Sequence, residues 1–357
     1  MSSRPTRYRT GDAETDDLLN RVLDRIDPPA DRDQLFEILV TATRLAGDGA
    51  GRLDLKITNG ALKEMRSAFR AFAPYRHVPK VTIFGSARTR SDDPAYDQAR
   101  VLAKRMAAQG WMVVTGAGPG IMAAGLQGAG RERSFGVNIR LPFEQSANEF
   151  IVGDDKLVSM KYFFTRKLML IKESRGFVSL PGGFGTLDET FELFTLQQTG
   201  KAEPSPIVLL DEPGGTFWTG CRDFLVAEVA SRGLIDSADS GLFLITDDVG
   251  EAIGELVEFY RNYHSIRWVG DRLVIRLESA PTGTELEQVN VAFADVCASG
   301  RIELTEPLAP EVAGNDRLDK ARLVLNFDIF CYGRLRALID TLNRLPSAPA
   351  VATLPPP

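Results

Sequence analysis

The sequence predicts an α/β protein: a doubly wound, Rossmann-like parallel sheet over about residues 75–265, with a helical N-terminal extension and a small α/β C-terminal appendage. Two observations lead there. From Lys80 to Leu210, short and nearly all-apolar runs end in glycine turns and alternate with helix-length stretches, the way parallel strands buried on both faces read in sequence. On either side the pattern changes, to helical periodicity before this region and to mixed strand and helix patterns after it.

The extension, residues 1–74, begins with a polar stretch, 1–14, expected to fray. Leu18, Leu19, Val22, Leu23 and Ile26 then recur at helical spacing until Pro28-Pro29 stops them. Leu35, Phe36, Leu39, Val40 and Thr43 write a second helix, and Leu62, Met65, Phe69 and Phe72 a third that ends at Pro74. Strands of the sheet are predicted at Val81–Phe84, Trp111–Val114, Phe135–Ile139, Gly176–Leu180 and Pro206–Leu210. A helix over Met160–Glu173 precedes the fourth of them. The appendage, 266–345, reads as a strand at Arg272–Leu277, a helix at 284–298, strands at Arg301–Leu304 and Leu323–Phe327, and a helix at 331–344; the Pro/Ala-rich residues 346–357 are expected to be a disordered tail.

Composition narrows the function classes. The 357 residues are 44% hydrophobic and 25% charged, ordinary globular usage. A net charge of −6, from 42 basic and 48 acidic residues, offers no broad field to attract nucleic acid, so any phosphate site must be local and the expected partner is a small molecule. Cys221, Cys297 and Cys331 are scattered and odd in number, which supports neither a disulfide framework nor a metal site. No long apolar stretch and no apolar segment after the polar start are written, so no membrane association and a cytoplasmic location are expected.

Three glycine-rich turns follow predicted strands. Gly85-Ser86-Ala87-Arg88 lets a ligand approach the backbone and places Arg88 to pair with phosphate, although a plain strand-to-helix turn would read the same. Gly116, Gly118 and Gly120 open a helix at Ile121-Met122, and a helix start behind several glycines is an anion site. Their spacing is Gly-x-Gly-x-Gly and no acidic residue ends the next strand, which argues against a nicotinamide cofactor. No other cofactor is indicated. In Pro181-Gly182-Gly183-Phe184-Gly185-Thr186-Leu187-Asp188-Glu189, three glycines and the Thr186 hydroxyl can wrap a phosphate, while Glu189 and Glu192 lie near one face of the following helix. Acidic residues at a helix start also simply offset its dipole. On the Met160–Glu173 helix, Arg166 lies close in sequence to the strand that delivers the glycine loop, and its guanidinium can hold substrate oxygens bidentately.

Together these residues resemble the LONELY GUY (LOG) family of cytokinin-activating phosphoribohydrolases and nucleoside 5′-monophosphate nucleosidases, often mislabelled lysine decarboxylases. The family's Pro-Gly-Gly-x-Gly-Thr-x-x-Glu motif is matched by Pro181 to Glu189 and its Arg-Lys pair by Arg166-Lys167. Phe164 stands where the family has a histidine. The resemblance spans about 75–265. It implies Arg166 and Glu189 as the catalytic pair, phosphate on Gly182, Gly183, Gly185 and Thr186, and remaining substrate contacts from Gly85, Ser86, Arg88, Gly116, Gly118, Gly120, Met122, Lys167 and Glu192. It also implies a homo-oligomer, as does the surplus of apolar residues on helices 160–174 and 189–199. Two rivals stand beside it: a non-hydrolytic nucleotide-binding or cofactor-carrier protein on the same fold, and a decarboxylase, for which no pyridoxal-site pattern accompanies Lys167 and Lys172.

Overall fold

The computed structural model describes residues 8–28, 30–140 and 147–350, which divide into two compact units, 1–66 and 67–357. In the first, helices α1 (Ala13–Ile26) and α2 (Arg32–Gly47) pack through Leu23, Phe36 and Val40. Asp12 caps α1 by accepting from the Thr15 amide at 2.9 Å, and the Thr10 amide and hydroxyl both donate to Asp16, so order begins before residue 14. Helix α3 (Arg52–Phe72) follows.

The second unit is built on a seven-stranded sheet. Its strands are β1 (Lys80–Phe84), β2 (Met112–Thr115), β3 (Ser134–Ile139), β4 (Leu157–Met160), β5 (Gly176–Ser179), β6 (Ile207–Leu210) and β7 (Leu244–Thr246). Every pairing is parallel and the order is β4-β3-β2-β1-β5-β6-β7. Alternate residues serve opposite faces, as strand geometry requires. Val81 and Ile83 enter a core with Leu102 and Met106 of α4 (Pro94–Ala108), Ile121 and Ala124 of α5 (Ile121–Ala129), and Ile253 and Leu256 of α9 (Val249–Glu258). Thr82 faces the other way and donates to the Leu170 carbonyl of α6 (Phe163–Lys172) at 2.9 Å. Helix α7 (Phe184–Gln198) shares that face, where Ser179 of β5 and Thr190 of α7 bond through their hydroxyls at 2.8 Å. The fold is therefore doubly wound, as the sequence pattern indicates.

Two strands were not legible in that pattern, the edge strands β4 and β7. The expected helix from Met160 begins only at Phe163, because Leu157–Met160 pairs in register with Gly136–Ile139 and Met160 is fully buried. After β7 and α9 the chain forms a four-stranded antiparallel sheet, β10-β11-β9-β8, from β8 (Tyr263–Val269), β9 (Arg272–Leu277), β10 (Cys297–Thr305) and β11 (Ala321–Phe327). Helices α10 (Gly283–Ala292) and α12 (Tyr332–Arg344) contribute Val289, Leu335, Leu338 and Leu342 to its core, which also takes in Phe259 and Tyr263. The helix expected at 284–298 is thus shorter, since Cys297 already belongs to β10. Of the tail expected to be disordered, 351–357 lies outside the described residues; Ala348 is buried, and the Pro349 carbonyl accepts from Arg261 at 2.6 Å.

Candidate active site

Strand order determines where a ligand can reach. The chain runs outward from β1 to β4 and then returns to place β5 on the other side of β1; the loops after β1 and β5 diverge and leave a crevice at the carboxyl ends, the usual ligand position in such sheets. Gly85-Ser86 leaves β1 and Pro181-Gly182-Gly183 leaves β5. They are stitched together by the Ser86 amide donating to the Pro181 carbonyl at 3.3 Å. The crevice is a cleft of about 740 Å³ lined by Gly85, Ser86, Arg88, Gly116, Met122 and Arg166 on one side, and by Gly182, Gly183, Phe184, Gly185, Thr186, Leu187 and Glu189 on the other.

The glycines do different work. A Cβ on Gly116 would overlap the Arg166 guanidinium, one on Gly182 would overlap the Thr186 hydroxyl, and one on Gly85 would lie 2.6 Å from Ile121. These three are needed by the protein's own packing. Gly120 has φ +66° and sits against the Ser86 carbonyl, which accepts from the Ile121 amide at 3.0 Å and so joins the first two glycine turns. Gly183 and Gly185 differ. A Cβ on either meets nothing, and neither backbone is left-handed, so the free space beside them is the cleft itself. Gly183 caps α7, whose first-turn amides have no carbonyl one turn upstream to accept from them.

Arg166, on the second turn of α6, is 9% exposed and held from two sides: its Nε donates to the Val137 carbonyl at 3.0 Å, and a terminal nitrogen donates to Glu189 Oε1 at 3.1 Å. Glu189, in the second turn of α7, thereby faces the cleft with Arg166 as its ion-pair partner. Burial pushes its carboxyl above the ordinary glutamate range, and the Arg166 charge, with a smaller contribution from Lys167, offsets part of that rise. A buried carboxylate poised this way can stabilise developing positive charge or take a proton from water.

Not every residue expected in the site lies in the cleft. Lys167 pairs with Asp188 at 2.8 Å and Glu192 at 2.9 Å, and all three line the neighbouring groove along α6 and α7. Gly118 and Gly120 support the cleft from behind. Asn148, which sequence reasoning passed over, secures that loop: its side-chain amide donates to the Gly118 carbonyl at 2.8 Å and its backbone amide to the Ala117 carbonyl at 2.9 Å. Ala117 is left-handed at φ +59° and its amide is held by the Thr115 hydroxyl. No sequence signal marks Asn148, since the contact spans 30 residues. Among the described residues, no group of acidic, histidine or cysteine side chains could hold a metal ion.

Residues 107–256 match the family model described as possible lysine decarboxylase. A cytokinin riboside 5′-monophosphate phosphoribohydrolase of Mycobacterium marinum is 29% identical over 149 residues, 42% of this chain and 78% of that protein. A probable cytokinin riboside 5′-monophosphate phosphoribohydrolase of Oryza sativa subsp. japonica is 28% identical over 191 residues, 51% of this chain and 77% of that one. A molybdenum cofactor carrier protein from Chlamydomonas reinhardtii aligns with 50% of this chain and 95% of its own at 22% identity, with a TM-score of 0.35. The chain is therefore similar over about half its length to cytokinin riboside 5′-monophosphate phosphoribohydrolases, and Arg166 and Glu189 both lie inside the segment that matches the family model.

Proposed function

We propose that this protein hydrolyses the N-glycosidic bond of nucleoside 5′-monophosphates, AMP or a cytokinin riboside 5′-monophosphate, releasing the free base and ribose 5-phosphate in the cytosol. The observation that carries the reading is the buried Arg166–Glu189 pair, 3.1 Å apart, at the head of the glycine loop that starts α7. The names of the similar proteins support the substrate class.

In this reading the 5′-phosphate sits on Gly182, Gly183, Gly185 and Thr186, where open space adjoins the first turn of α7. Its binding energy positions the anomeric carbon. Arg166 holds sugar and phosphate oxygens. As the C1′–N bond breaks, its electron pair leaves with the base and positive charge grows on the ribosyl ring, where Glu189 offsets it. Glu189 also orients the water, whose oxygen bonds to C1′ and whose proton passes to the departing base. The base lies toward Gly85-Ser86, Arg88, Met122 and the Gly116–Gly120 loop, with Lys167 and Glu192 fixing α6 against α7 from outside the cleft. The active form is a homo-oligomer, joined through the outer faces of α6 and α7. Phe163, Phe164, Leu168 and Phe191 are 53%, 55%, 45% and 37% exposed there.

Chromatography of products from AMP, with adenosine as control, tests the chemistry. Glu189→Gln keeps the shape but removes the charge, so turnover should fall by at least about 10²-fold with little change in nucleotide affinity. Arg166→Ala should weaken both. Adenosine should be a poor substrate because nothing occupies the phosphate loop. Equal cleavage of adenosine and AMP, or near-normal turnover in Glu189→Gln, would overturn the assignment. Tight AMP binding with no release of base would instead leave a non-hydrolytic nucleotide carrier.

A further inference from the structure

A second cleft, of about 670 Å³, opens at the amino ends of β1 and β5, the opposite end of the sheet from the glycine loops. Lys80 and Arg175 enter it from the starts of those strands, Lys172 from the last turn of α6, Arg76 from the turn after α3, and Arg317 from a left-handed turn before β11. Five basic side chains thus share one space with a single carboxylate. That carboxylate, Glu173, is already paired with Lys172 at 2.7 Å. In a chain of net charge −6, such a concentration departs from the interspersed signs of an ordinary surface.

Two of these basic groups are also short of partners. Arg76 and Arg317 are exposed, and among the described residues their guanidinium groups meet no hydrogen-bond or ion-pair partner. Arg175 is fixed in place: its guanidinium lies 4.2 Å from the centre of the Tyr260 ring and donates to the His264 carbonyl at 3.1 Å. Lys80 is 2% exposed, and its ammonium donates to the Tyr75 and Val78 carbonyls at 2.8 and 3.0 Å and lies 5.9 Å from the centre of the Phe72 ring. Burial pulls its pKa below the ordinary lysine value. Five basic groups gathered around one carboxylate repel one another, and an anion among them relieves that repulsion.

We propose that this cleft binds a small, multiply phosphorylated anion, and that its occupation is coupled to the glycine-loop cleft through α6. Arginines suit phosphate because their planar fork can donate two hydrogen bonds to one group. The volume fits a nucleotide-sized ligand. The coupling has a short path. Lys172 and Arg166 stand six residues apart on one helix, about 9 Å at a helical rise, and β1 links Lys80 at its start to Gly85 just beyond its end.

Inorganic tripolyphosphate is the probe, titrated by calorimetry into the full-length protein at low salt, with and without saturating ribose 5-phosphate in the glycine-loop cleft. With ribose 5-phosphate filling the glycine loop, one tripolyphosphate per chain should bind in the second cleft; without it, the phosphate loop can take up a further one. Arg76→Glu with Arg317→Glu alters two exposed, unpartnered side chains, so the fold should persist by circular dichroism while affinity drops at least about tenfold. Ribose 5-phosphate should change tripolyphosphate affinity at least about twofold, and tripolyphosphate should change ribose 5-phosphate affinity by the same factor. Absence of tripolyphosphate binding, or undiminished binding by the double variant, would overturn the site. Equal affinities with and without ribose 5-phosphate would overturn the coupling. Failure of the hydrolase reading would show separately, as no base released from AMP while tripolyphosphate still binds.

Discussion

Glu189 is where pH should act on the cleft. Burial raises its pKa and the Arg166 guanidinium, the largest opposing influence, lowers it, with burial dominant. If the ionised form does the work, kcat should fall on the acid side with a midpoint above the glutamate reference of about 4.3. Removing Arg166 takes away the charge that favours ionisation, so in Arg166→Ala the midpoint should move further up; a pH–rate profile of both proteins on AMP checks it. A downward move would show that Arg166 does not face the carboxylate in solution. The stability consequence has its own sign. The unfolded chain ionises this glutamate first, so the contribution of its raised folded pKa is present below the ordinary value and is lost as pH rises through the folded one. At this scale the sequence was legible where side chains carry a motif, as in Gly182, Gly183, Gly185, Thr186, Glu189 and Arg166. It was not legible where a residue works only by distance, as Asn148 does on the Gly118 carbonyl.

At the scale of elements, β1, β2, β3, β5 and β6 announce themselves as apolar runs because both faces are covered. Strands β4 and β7 do not. They are edge strands of four and three residues, and each has a half-buried or exposed position that interrupts the pattern. Strand β8 was missed for a related reason: His264, Ser265 and Arg267 are only half-buried and give no apolar run. Helices α6 and α7 show the converse, more apolar surface than their own sheet covers. Phe164→Asp with Leu168→Asp places charge in the middle of that surface, so a homo-oligomer joined there should sediment as a monomer at micromolar concentration, with the fold retained. A wild-type protein that already sediments as a monomer would remove the interface.

Across the whole second unit, α12 ties the second sheet to α9 of the first. The Asn343 side chain of α12 accepts from the Asn262 and Tyr263 amides at 2.9 and 2.8 Å and donates to the Phe259 carbonyl at 2.6 Å, all buried. Arg336, two turns earlier on the same face of α12, pairs with Glu255 of α9 and with Asp340. Asn343→Ala would leave three buried backbone groups without a partner, a loss of about 2–4 kcal/mol that a denaturant titration would read. Activity per folded molecule should stay unchanged, because neither Asn343 nor its partners lines the cleft. A small stability change would mean that water reaches the joint. None of this was visible beforehand. An asparagine that satisfies three backbone groups looks in sequence like any polar residue on an amphipathic helix, and its partners are some 80 positions away.

Gly116 leaves only enough room for the Arg166 guanidinium to reach Glu189. Every glycine codon is one base change from alanine, valine and other residues that carry a Cβ, so a single inherited change could dislodge the arginine while every motif around it stayed intact. Under the proposed chemistry, such a descendant would keep the phosphate loop and lose the reaction. Position 116 then offers a way to sort hydrolases from silent binders on this scaffold by reading one letter of sequence, a letter that lies outside the Pro181–Glu189 motif.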